Sequence, residues 1–185
     1  MTVPEMMTPI KPVNREAEVE DFRSALDRIR VLGSVFQTLY EWHGAPGIGK
    51  STLVRLLKEE CDRIQIPYSF IDFDENRNSR VNVYKEDISV LIEDLSSGFL
   101  GEGGSEVQDT VLQYRKAQSK DKDRKLDDVA RAFQRLIKKL TDKDPVVLFF
   151  DETERADQDD VVAWLEEWIV NPLVQNGRCL IVWTG

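Results

Sequence analysis

The run Gly44-Ala45-Pro46-Gly47-Ile48-Gly49-Lys50-Ser51 matches G-x-x-x-x-G-K-[ST] at every fixed position, and that pattern works only between a buried strand and a helix. Its glycines let backbone N–H groups turn inward around phosphate oxygens, Lys50 would neutralise β/γ charge, and the Ser51 hydroxyl is placed to ligate Mg²⁺. A polyphosphate would then rest on a helix N-terminus. Both flanks comply. Thr38 to Trp42 is rich in β-formers, and Leu53, Leu56, Leu57 and Cys61 recur at helical spacing. The first expectation is therefore nucleotide binding by Gly44, Ala45, Pro46, Gly47, Ile48, Gly49, Lys50, Ser51 and Thr52.

Strands and helices alternate through the rest of the chain. Residues 1–13 carry Pro4, Pro9 and Pro12 without periodicity and read as a loose tail ahead of one domain over 14–185. Asn14 is suited to cap an amphipathic helix with Val19, Phe22, Leu26 and Ile29 on one face and Gly33 closing it. Ile66 to Phe73 reads as the second strand, with Asp72 and Asp74 at its edge. Tyr84, Ile88, Leu91, Ile92 and Leu95 mark one helix, and Val107, Val111 and Tyr114 a shorter one. The loop Ser96 to Gly104 between them has glycines but no G-K-[ST] ending and reads as a connector. The charge run Ser119 to Asp128 reads as a solvated turn and helix start. Leu126, Val129, Ala130, Phe133, Leu136, Ile137 and Leu140 then trace a strongly amphipathic helix that must cover a sheet face.

Val146 to Phe150 is continuously apolar, as in strands buried on both faces of a parallel sheet, and it ends in Asp151-Glu152. A helix from about Gln158 to Val170 is expected to bury Trp164, Leu165, Trp168 and Ile169. The last strand, Cys179 to Trp183, ends at Thr184. This order predicts an α/β fold, a doubly wound parallel sheet in a three-layer αβα sandwich, with its ligand off the carboxyl ends of the strands.

Three features fall at those ends: the phosphate loop 44–51, Asp151-Glu152 and Thr184. Asp151 would hold Mg²⁺ through water. Glu152 would orient and deprotonate an attacking water, a role worth about 10²–10⁴-fold in rate. Thr184 would hydrogen-bond that water or the γ-phosphate. Glu154 competes with Glu152 for the base role. His43, the only histidine, reads as a hydrogen-bonded core or edge residue, and the pair Trp164 and Trp168 as core. Asp72, Arg77 and Arg80 read as solvated loop residues. In a phosphate-loop kinase, the main alternative, Asp72 or Asp74 would instead meet the substrate hydroxyl while Arg77 and Arg80 clamp phosphate. No N-K-x-D motif follows a strand, which disfavours a small GTPase.

Composition narrows the partners. Against 34 acidic residues stand 25 basic ones, a net charge of −9, which does not support sequence-independent nucleic-acid binding. No apolar run approaches the roughly 20 residues that span a bilayer, and Met1 to Pro12 lacks the apolar core of a signal peptide. A cytoplasmic protein with no membrane contact is expected, and Cys61 and Cys179 read as reduced core residues.

Val13-Asn14-Arg15-Glu16-Ala17-Glu18 resembles the h-h-G-R-E-x-E signature of STAND nucleoside triphosphatases, the signal-transduction branch of the AAA+ ATPases. GAPGIGKS resembles their phosphate loop, Val146 to Glu152 their magnesium (Walker B) strand, and Cys179 to Thr184 the first part of their h-h-h-h-T-x-R sensor strand. The resemblance implies ATP and ADP as ligands, adenine held near Val13, Asn14 and Arg15, and a switch between ADP-bound resting and ATP-bound active states. Asn14 stands where the family usually has glycine. The sequence stops at Gly185, before the sensor arginine, the fifth strand beside the phosphate-loop strand and the helical lid. An incomplete module of a larger regulatory protein is therefore expected, with further domains C-terminal to it, possible protein partners, and weak nucleotide binding and slow hydrolysis in isolation. A DNA-linked AAA+ ATPase and a degenerate interaction scaffold are the remaining alternatives.

Overall fold

The computed structural model describes residues 15–45, 47–99, 104–117, 121–156 and 160–185. Among them, a four-stranded parallel sheet of order β1-β4-β3-β2 is built from β1 (Leu39–Trp42), β2 (Tyr68–Asp72), β3 (Val146–Asp151) and β4 (Cys179–Thr184). The two central strands, β3 and β4, are buried at every position, whereas the outer strands alternate. This is why Val146 to Phe150 can be apolar throughout: each successive side chain enters one of two cores.

On one face, Val147, Phe149, Leu180 and Val182 meet α1 (Glu16–Leu32) and α2 (Lys50–Ile64) through Phe22, Leu26, Leu53 and Leu57. On the other, Leu148, Phe150, Ile181 and Trp183 meet a larger helical layer. That layer holds α3 (Val81–Glu86), α4 (Ile88–Ser97), α5 (Gly104–Lys116), α6 (Lys122–Thr141), α7 (Val161–Leu165) and α8 (Asn171–Val174). The expected doubly wound, three-layer α/β arrangement is the one found. Gly33 closes α1 at φ 86°, its N–H donating to Ile29 O at 2.8 Å, the left-handed cap that glycine allows.

Two predicted elements differ. The single helix expected over Tyr84 to Leu95 is broken at Asp87, whose backbone is extended and whose carboxylate accepts from the Ser89 N–H at 3.0 Å and the Ser89 hydroxyl at 2.6 Å. Asp87 is thus an N-cap rather than a mid-helix residue. The helix predicted to end at Val170 instead continues through a π-turn, Glu166–Val170, into α8. Pro172 has no N–H to offer the Trp168 carbonyl four residues back, and that oxygen accepts from Gln134 Nε2 of α6 at 2.6 Å. Trp164 and Trp168 pack against the core only half-buried, with Arg131 over the Trp168 ring.

Cys61 and Cys179 are free and buried, as expected. The expected tail, 1–13, and Asn14 lie outside the described residues. Among the described residues no helix is long and apolar enough to cross a membrane.

Candidate active site

Sheet register gathers the strand ends into a row. Asp72 lies opposite Asp151, Phe150 opposite Trp183, and Trp42 opposite Thr184. The pairing continues past β1 and β4: Gly185 N donates to Trp42 O, and Gly44 N donates to Gly185 O, both at 3.1 Å. The phosphate loop is thereby tied at its first residue to the end of β4.

Within the loop, Gly44, Gly47 and Gly49 have φ of 149°, 87° and 92°, values that L side chains rarely adopt. A Cβ on Gly44 would also stand 2.4 Å from Ile48 Cδ1. Gly49 caps α2, and Lys50, the first residue of that helix, is buried with its Nζ donating to Gly44 O at 2.7 Å. Glu154 Oε1 is 3.6 Å from the same ammonium. Ala45 O accepts from the Ile48 N–H at 3.4 Å. Ser51 and Thr52 are half-buried in the first turn of α2. Arg15 reaches the loop from the start of α1, its guanidinium donating to Ile48 O at 2.9 Å and to Glu18 at 2.5 Å. The other expected adenine contacts, Val13 and Asn14, and Pro46 of the loop lie outside the described residues.

Ser51 Oγ comes from the helix and Glu152 from the end of β3, and they meet at 3.4 Å. Glu152 holds φ 59°, a left-handed conformation that costs a non-glycine residue about 1–2 kcal/mol and turns its side chain away from the path of β3. Asp151 is buried. Thr184 Oγ1 donates to Asp151 Oδ1 at 2.5 Å and accepts from Glu152 N at 3.3 Å. The one hydrogen of this hydroxyl is directed at Asp151, so the expected contact of Thr184 with the attacking water or the γ-phosphate would fall to its remaining lone pair. Thr153 Oγ1 donates to Thr184 O at 2.9 Å, binding the ends of β3 and β4 together.

Beyond β2, Arg77 and Arg80 are exposed, as expected of solvated loop residues, but both are ion-paired, and Asp72 is only partly exposed. Arg77 Nε lies 2.8 Å from Asp72 Oδ2 and 3.3 Å from Asp74 Oδ2, and its Nη2 lies 3.7 Å from Asp151 Oδ2 and 3.5 Å from Glu152 Oε1. Arg155 binds Glu152 Oε2 at 3.0 Å and Asp74 Oδ1 at 3.2 Å. Burial pushes the Asp72 carboxyl up, against the pull of the Asp74 N–H and Arg77, whereas N–H groups of Asn76 hold Asp74 below its usual range. Arg80 turns elsewhere, to Asp94 at 2.8 Å, so Arg77 and Arg80 do not converge as a phosphate clamp of the kinase kind. His43 follows the outer strand β1, is exposed, and lines a small cavity with Thr153, Glu154, Val162, Glu166, Trp183 and Gly185; of the core or edge histidine expected from sequence, it is the edge one.

A family model of the AAA ATPase domain matches residues 11–168, which include the phosphate loop and Asp151-Glu152. The chain belongs to that family. A search among curated proteins returns no match.

An AAA ATPase domain is a nucleotide-binding ATPase domain, and this one's donor set suits the divalent ion that such domains use. Ser51 hydroxyl and Asp151 carboxylate are hard oxygen donors of the kind Mg²⁺ prefers, and Mg²⁺ is usually held by one or two carboxylates plus substrate phosphates. Among the described residues no group of three or more His, Cys, Asp or Glu side chains is placed to hold a metal ion by itself. In these ion pairs Asp72, Asp74, Asp151, Glu152 and Glu154 meet Lys50, Arg77 and Arg155, and the Lys58 ammonium also acts on Asp72 and Asp151. The sequence offers Arg77 only as a solvated loop residue or a kinase clamp, and it gives no sign of the roles of Arg155 and the Lys50–Glu154 contact. The only sequence signal for them was a pair of acidic residues, Asp72 and Asp74, at a strand end.

Proposed function

We propose that this AAA ATPase domain binds ATP and ADP with Mg²⁺, hydrolyses ATP slowly, and serves as a STAND-type nucleotide-dependent switch within a larger signalling or regulatory protein. The observation that carries the reading is the meeting of Ser51 with Glu152 beside Asp151, with Lys50 buried beneath the loop. Lys50 would exchange the Gly44 carbonyl and Glu154 for phosphate oxygens, and N–H groups at the start of α2 would receive further phosphate charge. Ser51 and Asp151 would hold Mg²⁺, which supplies charge neutralisation and orientation of the β- and γ-phosphates. Glu152 would accept the proton of the attacking water. Thr184 would keep Asp151 and the Glu152 backbone in register.

Slow turnover is supported by the company Glu152 keeps: its carboxylate is held by Arg155 and faced by Arg77, contacts that it must give up before it can turn to an attacking water. Arg15 joins α1 to the loop at Ile48, which is where the adenine end of a nucleotide would lie in this reading. A larger assembly is supported by β1, whose outer edge is unpaired among the described residues; such an edge invites a further strand.

The test is equilibrium binding of a fluorescent ATP analogue together with phosphate release. Lys50→Ala is expected to weaken triphosphate binding at least about tenfold, the worth of one charge-assisted contact of about 1.5–3 kcal/mol. Glu152→Gln is expected to retain binding and stop release. Lys50-independent binding would overturn the site, and transfer of phosphate to a small acceptor instead of water would favour the kinase reading.

A further inference from the structure

The turn after β2 is built to aim one side chain. Asp74 O accepts N–H groups of both Arg77, at 2.9 Å, and Asn78, at 2.8 Å, while Asn78 Nδ2 returns to Asp72 O at 2.8 Å and Asp74 N to Asp72 Oδ1 at 2.8 Å. The residue this turn presents over the strand ends is Arg77. Its guanidinium is anchored on Asp72 by two contacts, at 2.8 and 3.0 Å. It reaches Asp151 and Glu152 only at 3.7 and 3.5 Å, ion-pair distances without the geometry of a hydrogen bond. The Arg77 side chain is 41% exposed, whereas that of Asp151 is 3% exposed. One oxygen of Asp151, Oδ1, is already taken by Thr184. The other, Oδ2, is the one that looks toward Arg77. The free face of the proposed metal carboxylate is therefore covered by a cation with a firmer anchor elsewhere and a path to solvent.

We propose that Arg77 is a positioning residue that neutralises Asp151 and Glu152 while no metal is bound and yields to Mg²⁺ when the metal–nucleotide arrives, retreating onto Asp72 and Asp74. The turn 73–80 then senses occupancy of the site. This inference rests on the metal role assigned to Asp151 above. Two cations cannot share one carboxylate face in a poorly solvated site without repulsion, so Arg77 sets how much Mg²⁺ the site requires.

The measurement is the Mg²⁺ concentration at half-maximal binding of the fluorescent ATP analogue by the 185-residue chain, with the affinity in chelator as a second readout. Arg77→Gln is expected to lower the Mg²⁺ midpoint roughly three- to tenfold and to weaken metal-free nucleotide binding by a similar factor, the scale of a partly exposed ion pair. Arg77→Lys restores the charge and is expected to lie near the wild type. Asp72→Asn removes the alternative anchor and is expected to raise the midpoint, an effect that shrinks in the Arg77→Gln background. Arg80→Gln, whose partner is Asp94, controls for loss of a loop arginine and leaves the midpoint unchanged. A merely structural role would not move the midpoint in opposite directions for Arg77→Gln and Asp72→Asn. An unchanged or raised midpoint in Arg77→Gln overturns the proposal. So does selective loss of ATP relative to ADP, which would make Arg77 a phosphate ligand. Should the wild type bind nucleotide without dependence on Mg²⁺ and Lys50, the functional reading itself fails. If that dependence holds and Arg77→Gln behaves as wild type, only this inference does.

Discussion

Thr184→Val separates a hydrogen-bonding role for Thr184 from a packing one. Valine keeps the shape of threonine and deletes one hydroxyl, so almost no volume changes at a residue with no solvent exposure. Two polar groups lose their partner: Asp151 Oδ1, which receives the hydroxyl hydrogen at 2.5 Å, and the Glu152 N–H, which donates at 3.3 Å. A hydrogen bond to a charged group is worth about 1.5–3 kcal/mol and an orphaned buried N–H costs about 1–3 kcal/mol. The long Glu152 contact places its share at the low end, so the expected loss is about 2–4 kcal/mol. That is a large fraction of a domain stability of about 5–15 kcal/mol. Urea titration followed by the fluorescence of the four tryptophans, one of them Trp183 next door, reads the loss as a lower midpoint at constant slope. Circular dichroism should trace the same transition. Thr184→Ser retains the hydroxyl and drops a methyl group, at about 1 kcal/mol, so serine should fall between wild type and valine. A valine variant within about 0.5 kcal/mol of wild type would refute the reasoning, because the Asp151 carboxylate would then be served by something other than Thr184.

Glu60 of α2 is held down to about pKa 2 by hydrogen bonds from Arg63 and Arg23, against an ordinary value of 4.5. Because the folded value is depressed, its stabilisation is complete above pH 4.5 and disappears as the pH falls toward 2. Glu60→Gln should therefore differ from wild type near neutrality and converge with it in acid, by roughly 1 kcal/mol because both arginines are reached by solvent. Burial pushes the thiols of Cys61 and Cys179 up to about 12. At about pH 8 both should resist a thiol-reactive dye in the native chain and react in concentrated guanidinium. The neutral thiols favour the fold below about pH 9, and that contribution falls as the pH climbs toward 12; labelling of either cysteine in the native protein at the rate of the unfolded one would contradict this.

Much of the fold was legible in the order of residues because its determinants are local. Glycines at 44, 47 and 49 meet the backbone angles of a phosphate loop within their own segment. Val146 to Phe150 advertises burial on both faces, and Gly33 a helix end, without reference to any distant residue. Local ambiguity explains the errors. Asp87 could sit on a continuous helical stripe or cap a new helix, and only the packing of α4 on β2 and α6 selects the second. Pro172 could stop a helix unless its orphaned carbonyl partner finds a donor, and Gln134 supplies one from α6.

The order of residues was enough to show that a strand, a glycine turn and a helix would present Lys50 and Ser51, and that a second buried strand would end in Asp151-Glu152. What those groups face depends on the packed sheet. Parallel register sets Asp72 against Asp151, bringing Arg77 over a carboxylate more than seventy residues away. The same sheet directs the Thr184 hydroxyl to Asp151. Ion pairs and buried hydrogen bonds of this kind depend on distances of a few ångströms between elements remote in the chain, and those distances exist only once the two cores have closed on both faces of the sheet.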